Sequence, residues 1–226
     1  MGLDWNPGNR AKPGFEAEFA DLFHKIAAAG PGKPRDALVE RYHEISITAF
    51  ETLGAPVVGR DPAADQWARQ WRIELGVDEP EARFLAQLEG FAVLPLVPAC
   101  DGLPRYSNGS PGGYVEQYSF RAQFLQDCAA DIGEELLASA YESKLPDDLL
   151  GYGRELLARA EYLAGRHGLD PLDLVIPDKI PTVEEFTAGE RPPTTWSVEH
   201  RVDVAHSAGR WCVFWAERGH ILDAYW

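Results

Sequence analysis

Between Pro98 and Gly113 the chain reads PACDGLPRYSNGSPGG, with three prolines and four glycines in sixteen residues. Proline removes a backbone donor and fixes φ, and glycine weakens any regular element, so neither a helix nor a central strand fits this stretch. A connection of this length in a compact domain is either functional or disordered. It carries Asp101, Arg105, Tyr106, Ser107 and Asn108, a mixed set of donors and acceptors. That makes it the first place to look for a ligand site.

The segments before the loop have helical character. Apolar residues recur at three- and four-residue spacing and stop at Gly30, Gly54, Gly76 and Gly90, and later at Gly168, where a left-handed residue ends a helix. Asp61-Pro62 offers an N-cap followed by proline at the first helical position. Asp78 with Glu81, and Thr182 with Glu185, have capping-box spacing. These signals predict helices near 14–29, 35–53, 62–75, 79–89, 119–142 and 147–167, with a short one near 182–188.

The period changes at the end of the chain. From Trp196 to His206, residues of one parity are apolar or histidine and those of the other are mostly polar, the pattern of a half-buried strand. Arg210–Ala216 and His220–Trp226 read as two further strands, joined by turns at Ser207-Ala208-Gly209 and Arg218-Gly219. The expected fold is therefore α+β and mostly α: about seven helices followed by a C-terminal three-stranded antiparallel meander. A single domain spans 1–226, with a mainly helical part over 1–190 and the meander of 194–226 packed on it. The middle strand, WCVFWA, is apolar on both faces. Helices cover one face; the other needs the N-terminal segment with its Trp5, or a homodimer.

Charge excludes one class of partner. With 36 acidic against 21 basic residues the formal net charge is -15. The chain has no basic stripe, so a nucleic-acid backbone would repel it. No apolar run approaches membrane-spanning length, and the start MGLDWNPGNRAKPG lacks the apolar core of a secretory signal. Cys100, Cys128 and Cys212 are far apart and suit a reducing cytoplasm, without a disulfide framework or a zinc knuckle.

Four constellations invite chemistry. Asp21-Leu-Phe-His24 and Glu40-Arg-Tyr-His43 have metal-ligand spacing, but helical wheels centred on Phe15, Phe19, Leu22 and Ile26, and on Leu38, Tyr42, Ile45, Ala49 and Leu53, turn Asp21, His24 and Glu40 away from the core and leave His43 at its boundary, which favours solvated side chains. No metal or cofactor is expected. On the meander, His200, His206, Cys212 and Asp223 fall on one face, which suggests a Cys-His-Asp nucleophile against the plainer reading of packed core residues. On the 119–142 pattern, Arg121 enters the apolar side where the loop ends; it either clamps a carboxylate or phosphate or forms an internal ion pair. Trp67 and Trp71, four apart, read as core rather than as a stacking platform. No GxGxxG, Walker, HExxH or GxSxG motif is present.

The preferred reading is a cytoplasmic protein that binds a small anionic ligand or a protein partner, without nucleic acid or membrane. Its site is the 98–113 loop with Asp101, Arg105, Tyr106, Ser107 and Asn108, together with Arg121. The alternative is a hydrolase-like enzyme that uses Cys212 with a strand histidine, or the loop residues around Arg121.

Overall fold

The computed structural model describes residues 2–29, 32–97, 106–107, 115–116, 118–174 and 197–226, with only the backbone at 106–107 and 115–116. Along the chain run β1 (Asp4–Ala11), α1 (Glu16–Ala28), α2 (Lys33–Glu44), β2 (Ser46–Ile47), α3 (Ala49–Leu53), α4 (Pro62–Glu74) and α5 (Glu81–Gln87). After a short 3-10 turn at Leu94–Leu96 come β3 (Tyr106–Ser107), β4 (Val115–Glu116) and a 3-10 segment, Ala122–Cys128. Then follow α6 (Ala129–Ile132), α7 (Glu134–Ser139), α8 (Pro146–His167), α9 (Val198–Glu217) and β5 (His220–Tyr225). The described chain is mostly helical, with a three-stranded sheet. It divides into two compact units, Met1–Ser46 with Gly102–Trp226, and Ile47–Asp101. Among the described residues no helix is long and apolar enough to cross a membrane.

The C-terminal meander is the main expectation the structure corrects. Val198–Glu217 is a single 20-residue helix, and of the three expected strands only His220–Tyr225 is extended. The sheet order is β2-β1-β5, so its centre is the N-terminal strand. β1 pairs antiparallel with β5 from Asp4 opposite Tyr225 to Arg10 opposite His220, with a register shift between Pro7 and Arg10. Pro7 sits opposite Leu222, whose backbone N–H and C=O bond Lys144 instead, so the proline's missing N–H costs the β1–β5 ladder no hydrogen bond.

Helix α9 follows a second periodicity hidden under the alternation. Val202, Ala205, Ala208, Gly209, Cys212, Trp215 and Ala216 are buried at helical spacing. Ser197 caps the start by accepting the His200 backbone N–H at 3.1 Å. The supposed turn residue Gly209 lies inside the helix at a close crossing with α8. A Cβ there would meet the Gly153 carbonyl oxygen at 2.9 Å, and a Cβ at Gly153 would meet the Cys212 Cβ at 2.7 Å. Only two glycines let the helix backbones approach this closely.

The aromatic core sits on this helix pair. Trp5, Trp211 and Trp215 are fully buried. The Trp5 ring lies 5.5 Å from Phe120 and 5.8 Å from both Tyr152 and Trp211. Its indole N–H donates to the Ala140 carbonyl at 2.8 Å, and that of Trp211 to the Tyr118 carbonyl at 3.0 Å. Each buried tryptophan removes roughly 150–250 Å² from water, worth about 4–6 kcal/mol by area. The N-terminal arm therefore supplies a core residue. Of the three tryptophans expected on one sheet face, Trp211 and Trp215 are instead internal on α9, while Trp226 at the end of the chain is exposed. A second cluster joins Phe19 and Leu22 of α1, Ile45 and Ile221, with Leu38 and Tyr42 packed against it.

Two expected long helices are broken. The 35–53 pattern ends at Glu44 and restarts at Ala49. There Thr48 and Glu51 form a reciprocal capping box, each side chain accepting the other's backbone N–H, at 3.3 and 2.8 Å. The 119–142 pattern becomes the 3-10 segment, α6 and α7. Phe120 is held extended by paired backbone bonds to Trp5 of 2.8 and 2.9 Å, and Gly133, at φ 91°, separates α6 from α7. Helices α1, α4, α5 and α8 lie within two residues or so of their expected spans, and Gly54 and Gly168 adopt the left-handed cap expected of them. Pro80, not Asp78, occupies the N-cap of α5, so the Asp78–Glu81 box does not form. The short helix near 182–188, with its Thr182–Glu185 box, lies outside the described residues.

In the Ile47–Asp101 unit, Val58, Ala64, Ala68 and Val93 form the core, with Trp67, Leu85 and Leu88 against it. Asp61 stands at the N-cap of α4 but spends its carboxylate on the Val57 N–H, at 2.6 Å.

Candidate functional site

Of the expected loop site, Asp101, Arg105 and Asn108 lie outside the described residues. Tyr106 and Ser107 form β3, paired antiparallel with Glu116 and Val115 of β4. Arg121 is not within a helix; it precedes the 3-10 segment, and its guanidinium is ion-paired with the Asp4 carboxylate. The two elements are brought together by the Trp5–Phe120 backbone bridge. The pair is only partly buried, with each side chain about a third exposed.

The Cys-His-Asp reading loses its geometric basis, since His200, His206 and Cys212 ride on α9 rather than on a strand. Cys212 is fully buried, and burial pushes its thiol well above the usual range. Cys128, also fully buried, is pushed up to about 12, first by desolvation and then by Asp131 and Asp127. A thiol held protonated is a poor nucleophile. His200 Nε2 lies 3.0 Å from the Asp127 carboxylate, and Arg201 donates to Asp131 at 2.5 Å, so these contacts tie α9 to the 3-10 segment and α6. His206 is buried, and desolvation lowers its pKa. Asp223 is exposed on β5, with the Ser143 hydroxyl 3.4 Å away.

Asp21, His24, Glu40 and His43 all face solvent, and Asp21 pairs with Lys25 at 2.6 Å. Among the described residues no three histidine, cysteine or acidic side chains are grouped so as to hold a metal ion.

A concave feature among the described residues of the larger unit lies elsewhere. An open hollow of about 570 Å³ is lined by Glu135 from α7, Glu142 from the following turn, and Asp147, Asp148 and Glu155 from α8. Lys144 and Tyr152 also line it. Local rules place the acids. Pro146 opens α8 at its first position, and Asp147 and Asp148 follow in the first turn, where the helix dipole favours negative charge. Glu155, two turns on from Asp148, lies near the same face.

Lys144 is only 7% exposed, and its backbone exchanges hydrogen bonds of 3.0 and 2.9 Å with Leu222 of β5. The ammonium donates to the Glu142 carbonyl at 3.0 Å and to the Ser139 carbonyl, and lies 4.7 Å from the Tyr152 ring centre. Burial lowers its pKa, and Glu142 and Asp148 oppose that shift. Tyr152 is fixed in turn by donating to the Leu136 carbonyl at 3.0 Å. Five carboxylates thus surround one internally bonded ammonium, which leaves an excess of negative charge open to water. Such a surface attracts ammonium and guanidinium groups and offers no caged position for a bare divalent ion.

Sequence reasoning missed this hollow because its carboxylates come from three elements. The available signal was density: Glu134, Glu135, Glu142, Asp147, Asp148 and Glu155 fall within 22 residues whose basic side chains are Lys144 and Arg154 alone. No protein-family model, curated protein or solved structure matches the chain.

Proposed function

We propose that the chain is a binding module whose partner is a basic protein segment, held by lysine or arginine side chains over the acidic hollow. The observation that supports this reading is the convergence of Glu135, Glu142, Asp147, Asp148 and Glu155 around an open concavity whose lysine is already satisfied internally. An open hollow suits an extended segment better than a small molecule, which binds where most of its surface can be buried. The anionic-ligand reading centred on Arg121 has less support, because Asp4 already supplies that guanidinium with a counter-charge. A hydrolase using Cys212 has less support still, given its buried, protonated thiol.

Fluorescence anisotropy with a labelled lysine-rich peptide tests the proposal. Affinity should fall steeply as salt rises, and the triple variant Glu142→Gln, Asp147→Asn, Asp148→Asn should lose at least tenfold. An acidic peptide of equal length that binds as tightly, or a triple variant that binds as wild type does, would overturn it.

A further inference from the structure

We draw no further inference here: the strongest candidate, the partly exposed aromatic ladder of Trp67, Trp71 and Phe91, is an apolar face for which nothing in the structure shows what covers it.

Discussion

His220 is fully buried at the start of β5, with its ring edge-on to Trp215 at 5.2 Å. Its Nδ1 lies 2.7 Å from the Gly8 carbonyl oxygen, an acceptor only, so Nδ1 carries the proton and donates. Desolvation lowers its pKa from 6.5 to about 4, and Arg10 and Arg218 push the same way. The unfolded chain therefore binds more protons than the folded one between these values, and stability falls as pH drops from about 6.5 toward 4. The full effect is on the order of 3 kcal/mol. Urea unfolding at pH 7 and at pH 4.5 measures it, and His220→Gln should show a smaller pH-dependent loss than wild type. Equal losses would mean that the imidazole is accessible to protons in the folded state. The buried thiols make a second prediction: Cys128 and Cys212 should resist a thiol reagent in the native protein and react fully in denaturant. Rapid native labelling of Cys212 would revive the nucleophile reading.

Elements were legible where local chemistry and global packing agreed. Helices α1, α4 and α8 combine a clear apolar spacing with proline starts or glycine stops, and nothing competes with that spacing. Helix α9 was illegible because Val198, Val202 and Val204 with His200 and His206 satisfy a period of two as well as one of 3.6, and β-branched residues favour the former. Packing on α8 decides the matter, and packing is not local. β1 was hidden for the opposite reason: Asn6-Pro7-Gly8-Asn9 is turn chemistry, and only pairing with a strand more than 200 residues away makes it extended. The α8–α9 crossing yields a prediction with opposite signs in one helix. Gly153→Ala and Gly209→Ala should each destabilise by about 1–3 kcal/mol or more, since the new methyl meets backbone atoms at 3.0 Å or less. Gly165→Ala, at an exposed position of α8 with nothing within 4 Å of the new Cβ, should stabilise by up to about 1 kcal/mol. Thermal melts of the three variants check the signs. Stabilisation by Ala at 153 or 209 would mean that the helices are not in close contact there.

For the whole molecule, the charge of -15 was plain from composition, but its convergence was not. The expected site followed a conspicuous loop, whereas the hollow depends on where α7, its following turn and α8 are brought together, a tertiary fact. Arg121 was singled out from a helical arc that does not form, and its ion-pair partner Asp4, 117 positions away, is invisible to local reading. An acidic hollow in an acidic protein predicts fast, salt-screened association, with each exposed carboxylate–ammonium contact near 4 Å worth only about 1 kcal/mol in water. The most direct measurement is a nitrogen-15 NMR titration of the protein with a lysine-rich peptide at low and at high salt. The account predicts amide shifts concentrated between Glu135 and Glu155, which diminish at high salt and in the triple carboxylate variant. Shifts that lie elsewhere, or that persist unchanged when salt or the carboxylates are altered, would contradict it.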